Sequence, residues 1–188
     1  TNGAEIMFFT DQCQVYKTRL SEFEDTKASA LGDYLPAKLS MDAGENVIYA
    51  VLPGPDYAGA LLFFFENGKL AKIDLSAYET KTNRKKLIKA YCEKFPVVNM
   101  FCVTEDKEYV MKSTSGRILL LNTGAIAVKT TKDSMGVSVM TLKKGHRVSS
   151  VKEYTDGEFV KPARYRTRTL PAAGATLSAD DVGEQLTL

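Results

Sequence analysis

The sequence predicts an all-β protein made of about three four-stranded units in a propeller-like arrangement. Two observations lead to this prediction. Runs rich in β-branched and aromatic residues alternate with short turns, and an order of hairpin, polar loop, turn and strand recurs about every fifty residues. The 188 residues are 44% hydrophobic and 26% charged, which is typical of a folded domain. Because three units are few for a closed ring, we expect the chain to be part of a larger ring.

Three hairpins are predicted, one near the start of each unit. Residues 8–16, 64–72 and 112–120 can be laid on one another, with a turn at the centre of each segment. The Asn-Gly pair at 67–68 is a strong hairpin signal, because both central positions of a type I′ turn require a positive φ. The Ser-Gly pair at 115–116 is a weaker version of the same turn. Each segment therefore predicts two antiparallel strands.

A second turn follows the first and third hairpins. Residues 42–48 contain Gly44 and match residues 143–149, which contain Gly145, and the two glycines are two repeats apart. The middle unit has residues 95–101 at this place, without a glycine. These landmarks place the units at residues 1–55, 56–104 and 105–160, followed by a C-terminal tail at 161–188 whose order the pattern leaves open.

Residues 84–95 are the one candidate for a helix. Leu87, Ile88 and Tyr91 fall at helical spacing, although the segment is short and has no clear capping residue. Strands are predicted for the other apolar runs.

Basic residues are clustered although the net charge is only +2. Residues 81–94 contain six bases and one acid, and residues 161–168 contain four bases and no acid. A run of charges is often no more than a solvated face. The place of the basic runs within the repeat is what favours a functional interpretation.

Residues 10–39, 65–87 and 115–145 resemble the C-terminal β-pinwheel repeats of the A subunit of bacterial type IIA DNA topoisomerases, DNA gyrase and topoisomerase IV. The third segment, SGRILLLNTGAIAVKTTKDSMGVSVMTLKKG, keeps the order of hairpin, loop, Gly-Val and strand that is typical of a pinwheel blade. The resemblance implies blades joined by strand exchange, with a basic outer rim that wraps duplex DNA.

The resemblance also implies a cytoplasmic, ATP-dependent enzyme in which this domain is itself non-catalytic. Its partners would be duplex DNA, the remainder of the A subunit, which carries the DNA-cleaving tyrosine, and the ATPase B subunit. The glycine-rich basic box of gyrase subunits, Gln-Arg-Arg-Gly-Gly-Lys-Gly, is not found in these residues. Either it precedes Thr1 or the parent protein is of the topoisomerase IV type, and both alternatives stay open.

The loop after each hairpin carries basic and hydroxyl side chains. Lys and Arg bind the closely spaced phosphates of a duplex and release condensed counterions, and no precise constellation of side chains is needed. We therefore expect DNA binding and bending with little sequence specificity, along a track formed by successive units. The candidate DNA contacts are Lys27, Lys81, Arg84, Lys85, Lys86, Lys129 and Lys132 in the loops, and Arg164 and Arg166 in the tail. The alternative is a propeller-type interaction module whose basic rim binds an acidic partner protein.

Other kinds of site have no pattern in the sequence. His146 is the single histidine and lies among cations, which disfavours a catalytic role. The three cysteines show no metal-ligand spacing and indicate a reducing cytoplasm, and no nucleotide-binding glycine loop occurs. The longest apolar run, residues 58–65, is far too short to span a membrane. We therefore predict no catalytic residue, metal, cofactor or membrane partner for this chain.

Overall fold

The computed structural model describes residues 3–23, 32–81 and 84–182. The chain forms two compact units. Unit 1 comprises Thr1–Gly59, Ile73–Glu93 and Thr130–Ser134, and unit 2 comprises Ala60–Lys72, Lys94–Lys129 and Met135–Leu188.

Short strands make up most of the regular structure in the described residues. The strands are β1 (Glu5–Thr10), β2 (Val15–Arg19), β3 (Val47–Val51), β4 (Ala60–Phe65), β5 (Lys69–Asp74), β6 (Lys86–Leu87), β7 (Val97–Val103), β8 (Glu108–Ser113), β9 (Arg117–Asn122), β10 (Val137–Ser138), β11 (Val148–Glu153) and β12 (Ala175–Thr176). The helices are α1 (Leu35–Lys38) and α2 (Ala179–Val182), with 3-10 helices at Leu20–Glu22, Leu75–Tyr78, Thr123–Ala125 and Pro162–Arg164.

The described strands form three four-stranded sheets of the same design. Sheet 1 has the order β3-β1-β2-β6, sheet 2 the order β10-β5-β4-β7, and sheet 3 the order β11-β8-β9-β12. In each sheet a hairpin lies at the centre and a third strand pairs with its first strand. The fourth strand, only two residues long, arrives from a later part of the chain: β6 lies beyond β5, and β10 lies beyond β9. The predicted all-β class with four-stranded units is confirmed, and the strand exchange that the resemblance implies is present.

All three predicted hairpins form, but the alignment of the first is wrong by one residue. The sequence alignment places Gln12 opposite Gly68, whereas the structure gives the equivalent place to Cys13. The N–H groups of Cys13, Gly68 and Gly116 each bond the carbonyl three residues earlier, and all three residues have positive φ. A cysteine at φ 57° gives no turn signal, because positive φ is expected of glycine or asparagine.

The predicted helix over residues 84–95 is wrong. Leu87 instead pairs with Val15 in sheet 1, and Lys89 has a φ of 51°, which no α-helix accommodates. Leu87 and Tyr91 are buried while Ile88 is 67% exposed, so the three residues do not share one face.

Two glycines let the fourth strands approach sheets 2 and 3. Gly136 precedes β10 and Gly174 precedes β12, each with positive φ. A Cβ atom on Gly136 would lie 2.4 Å from the Leu70 carbonyl oxygen, and one on Gly174 would lie 2.5 Å from that of Ile118. These contacts are far inside the van der Waals distance, so both positions require glycine for steric as well as conformational reasons.

The core of unit 2 is built from the alternating faces of its strands. Phe64, Tyr109 and Leu119 are buried in one cluster that also includes residues 139 and 140, which follow β10, and two valines of β11. Phe159 and Tyr165 form a second cluster against β8 and β9. Tyr165 donates to the buried carboxylate of Asp181. The segment from 159 to 182 therefore packs on sheet 3. The boundaries that the sequence predicts between the three repeats stay a prediction.

Candidate nucleic-acid interface

Three crossover segments lead to the exchanged strands. Crossover segment 1 is residues 79–85, of which 82 and 83 lie outside the described residues. Crossover segment 2 is residues 127–136, and crossover segment 3 is residues 154–174. They precede β6, β10 and β12 respectively. Most of the predicted DNA contacts lie on these segments.

Each crossover segment bonds the second hairpin strand of one sheet at the same position, four residues after the positive-φ turn residue. The bonds run from Lys17 N–H to the Lys85 carbonyl (2.7 Å), from Lys129 N–H to the Lys72 carbonyl (2.8 Å), and from Leu120 N–H to the Tyr165 carbonyl (2.8 Å). Arg166 forms a parallel bridge with Leu120. Backbone hydrogen bonds therefore hold Lys85, Lys129 and Tyr165, the neighbour of Arg166, beside the second hairpin strands of the three sheets. Their positions relative to the exchanged strands differ, because Lys85 directly precedes β6 whereas Lys129 and Arg166 lie eight and nine residues before β10 and β12.

Five of the predicted contacts are exposed and have no carboxylate closer than 4.0 Å among the described residues: Lys81, Arg84, Lys85, Lys129 and Arg164. The Lys85 side chain is 75% exposed, and its Nζ lies 4.0 Å from Glu22 Oε2. An ion pair that long between exposed groups contributes little, so Lys85 is available to another anion.

Arg84 and Lys85 also line a cleft of about 310 Å³ in unit 1. Its charged walls are Glu5, Lys17, Arg19, Glu22, Arg84 and Lys85, and two threonines complete it. Bases outnumber acids in this lining by four to two. The cleft is therefore electropositive at the end of crossover segment 1.

Lys86 is held by groups of its own unit. Its Nζ lies 2.7 Å from Asp42 Oδ2 and above the ring of Tyr16. The hydrogen bond with Asp42 raises the pKa of Lys86, and the same bond lowers the pKa of Asp42. Because these contacts neutralise the charge, Lys86 has less to offer a phosphate than Lys85 has.

The two tail arginines are also engaged. Arg166 forms a bidentate ion pair with Glu108, at 2.7 and 2.8 Å, and this pair raises the pKa of Arg166. Arg164 Nε donates to the carbonyl of Thr176 at 3.3 Å and the residue is otherwise exposed. Lys132 is half-buried, and Lys27 lies outside the described residues.

Two buried lysines were not predicted from the sequence. The Lys17 side chain is 3% exposed and binds Glu5 at 2.8 Å and the Tyr78 carbonyl at 2.9 Å. Lys72 binds Asp106 at 2.6 Å and the Thr123 carbonyl at 3.2 Å. Both lie on second hairpin strands between buried neighbours, and this strand position is the only sequence signal that separates them from the exposed bases.

No metal or membrane element is found in the part of the chain that the structure describes. No group of three or more His, Cys, Asp or Glu side chains there is placed to hold an ion. None of the described helices is long and apolar enough to cross a bilayer. His146 is exposed, with its Nδ1 atom 3.1 Å from Thr114 Oγ1.

The chain is similar to a known protein family and to solved structures. The model of the DNA gyrase C-terminal domain, a β-propeller, matches residues 4–32 and 109–152. The resemblance to the gyrase C-terminal domain family is thus confirmed. The matched residues include the whole β1–β2 hairpin of sheet 1, β10 of sheet 2, and β9 with most of β8 and β11 in sheet 3.

Solved structures of this family share the fold. The C-terminal domain of DNA topoisomerase IV is similar with a TM-score of 0.71 and 21% identity, covering 84% of this chain and 49% of that one. The DNA gyrase A C-terminal domain gives 0.62 and 13%, covering 93% and 60%, and the E. coli ParC C-terminal domain gives 0.70 and 10%, covering 95% and 78%. The comparison with curated proteins gives no match. The β-pinwheel fold is therefore confirmed, and the chain spans about half the length of the topoisomerase IV domain that it matches.

Proposed function

We propose that this chain binds and bends duplex DNA without sequence specificity, as the C-terminal domain of a type IIA topoisomerase A subunit. The observation that carries the proposal is the placement of bases on the crossover segments. Lys85 and Lys129 are each held by a backbone bond beside the second hairpin strand of a sheet, and both are exposed, with no carboxylate closer than 4.0 Å among the described residues. The match to the gyrase C-terminal domain family supports the same conclusion.

The chemistry needs only positive charge at a regular spacing. Each Lys or Arg that binds a phosphate releases condensed counterions, and this release supplies affinity without reading the bases. Bending a duplex over a protein costs on the order of 1–6 kcal/mol, which several such contacts offset. In this proposal the track consists of Lys81, Arg84, Lys85 and Lys129. Three further bases add to it, namely Lys27, Lys132 and Arg164. Lys86 and Arg166 contribute less because of their ion pairs.

Within the whole enzyme, the domain is proposed to present duplex DNA to the catalytic core. The cleaving tyrosine and the ATPase activity belong in this proposal to the remainder of the A subunit and to the B subunit. The domain then acts as a binding element and carries out no bond-breaking step itself.

The test is the salt dependence of DNA affinity. We expect the logarithm of the binding constant for two unrelated duplexes of equal length to fall linearly with the logarithm of salt concentration, with nearly the same slope for both. In Arg84→Ala/Lys85→Ala/Lys129→Ala the slope is expected to decrease by about 2.7, since each lost phosphate contact removes about 0.9. The matched control is Lys107→Ala/Lys152→Ala, which removes surface lysines that are already paired with Glu153 and Glu158.

The alternative function, binding of an acidic protein, is favoured by one observation. Two predicted contacts already bind carboxylates: Lys86 binds Asp42, and Arg166 binds Glu108 in bidentate geometry. A DNA affinity that does not respond to salt, or that is equal in the triple variant and the wild type, would favour this alternative over the proposed function.

A further inference from the structure

The turn between residues 143 and 147 is a second concentration of positive charge, here called the basic turn. It reads Lys-Lys-Gly-His-Arg, and all five residues are exposed. None of them belongs to a crossover segment. The proposed DNA track therefore leaves this charge unused.

The basic turn lies at the hairpin end of sheet 3. The Thr114 N–H donates to the Arg147 carbonyl at 2.8 Å, and the Arg147 N–H donates to Thr114 Oγ1 at 3.1 Å. Thr114 directly follows β8, whereas Glu108, the partner of Arg166, begins that strand. Six residues of strand span about 20 Å, so the basic turn and Arg166 lie at opposite ends of the sheet.

The fold does not need the charges of the basic turn. The equivalent turn of sheet 1 has the same two bonds: Asp11 N–H donates to the Asn46 carbonyl, and Asn46 N–H donates to Asp11 Oδ1, both at 2.9 Å. In that turn Glu45 takes the place of His146, and its buried carboxylate accepts a hydrogen bond from Tyr16. An acidic and a basic sequence thus form the same turn, because the turn is held by its backbone and by one side-chain acceptor.

One carboxylate faces the basic turn. Glu66 Oε1 lies 3.7 Å from Arg147 Nε, and both side chains are largely solvated, at 40% and 62% exposure. No other described carboxylate lies within 4.0 Å of the bases of this turn. The net charge of the surface therefore stays positive.

The composition of the surface favours phosphate over an acidic protein. Protein interfaces are centred on aromatic or aliphatic anchors and are depleted in lysine. None of the exposed large hydrophobic residues in the described chain lies in residues 141–151 or 112–117. Two lysines, an arginine and the hydroxyl groups of Thr114 and Ser115 are the groups that bind the nucleic-acid backbone.

The geometry points to the basic turn as a further binding surface for the phosphate backbone of duplex DNA, separate from the crossover segments. This inference rests on the proposed function for the identity of the ligand but on a different set of residues. Lys143, Lys144 and Arg147 supply the charges, and Glu66 weakens Arg147.

The experiment compares affinities for one duplex over a range of salt concentrations. In Lys143→Ala/Lys144→Ala/Arg147→Ala we expect a 10- to 100-fold lower affinity at about 0.1 M salt and a salt slope smaller by about 2.7. Glu66→Ala should change affinity in the opposite direction, by a few-fold, because it frees Arg147. Urea unfolding of the triple variant is expected to match the wild type, since the backbone bonds of the turn remain.

The outcomes separate this inference from the proposed function. If DNA binding is weakened in Arg84→Ala/Lys85→Ala/Lys129→Ala, the crossover variant, but not in Lys143→Ala/Lys144→Ala/Arg147→Ala, the basic-turn variant, the inference is overturned and the proposed function is left intact. Absence of salt-dependent DNA binding by the wild type overturns both. Tighter binding to polyglutamate than to the duplex, lost in the basic-turn variant, also overturns the inference and assigns the turn to an acidic protein. Loss of slope in each triple variant, with a larger loss when the two are combined, supports it.

Discussion

Sheets 1 and 3 have the same strand order and the same hydrogen bonds at their turns, yet they place different side chains at equivalent positions. The buried Lys17 of sheet 1 corresponds to the buried Leu120 of sheet 3, and Lys86, which pairs with Tyr16, corresponds to Gly174, which directly precedes β12. The backbone frame is thus common to both sheets. What differs is how each sheet neutralises or displays charge.

The difference extends to the bases that the crossover segments carry. Lys85 in sheet 1 remains exposed, whereas Arg166 in sheet 3 is held by Glu108. A base on a crossover segment is therefore not equally available in every sheet. Position in the repeat fixes where a base lies, and its neighbours decide whether it can bind a phosphate.

The largest expected effect is on the buried lysine. Lys17→Met should lower the free energy of unfolding by about 3 kcal/mol, because it leaves Glu5 without its cation and the Tyr78 carbonyl without its donor. Leu120→Met at the equivalent position should cost less than about 1.5 kcal/mol, since the volume is retained. Urea denaturation measures both. Equal losses in the two variants would show that Lys17 acts by filling space and not through its charge.

The second effect concerns the glycine before the fourth strand of sheet 3. Gly174→Ala should cost about 2 kcal/mol, because a Cβ atom there would lie 2.5 Å from the Ile118 carbonyl oxygen. Gly116→Ala in the same sheet has a positive φ but open space around it, so we expect a loss of about 1 kcal/mol. Thermal or urea unfolding compares the two, and a Gly116 variant as unstable as the Gly174 variant would contradict the steric explanation.

The smallest expected effect concerns Arg166, whose charge is paired with Glu108. Glu108→Gln removes the charge that holds Arg166 and should raise duplex affinity about two- to three-fold at low salt, with stability changed by no more than about 1 kcal/mol. Glu153→Gln, which frees Lys107 outside the crossover segments, is the matched control. A similar gain in both variants would indicate a general effect of net charge instead of a contact by Arg166.

Much of the fold could be predicted because its signals are local. The Asn-Gly pair at 67–68 and the Ser-Gly pair at 115–116 predicted two hairpins correctly, since turn conformation depends on the residues within the turn. The alignment of the first hairpin could not be predicted, because the positive φ of Cys13 is imposed by the surrounding structure and not by its residue type. The helix predicted over residues 84–95 failed for a similar reason: pairing of Leu87 with Val15 overrides a weak periodicity.

The site was predictable in outline and not in detail. The basic crossover segments could be found from their place in the repeat. The pairing of Arg166 with Glu108 joins residues 58 positions apart, and that of Lys86 with Asp42 joins residues 44 apart, so neither is visible in a local pattern. The DNA contacts as a set remain a proposal.

The amino-acid sequence by itself determined the all-β class, the repeat and the clustering of bases after the hairpins, because alternation, turn chemistry and charge composition act over a few residues. Only the tertiary structure decided which lysines are buried, which are paired and which stay open to solvent. Burial and ion pairing depend on partners distant in the sequence, such as Tyr78 for Lys17 and Glu108 for Arg166. The exchanged strands are two residues long, too short to carry a pattern of their own.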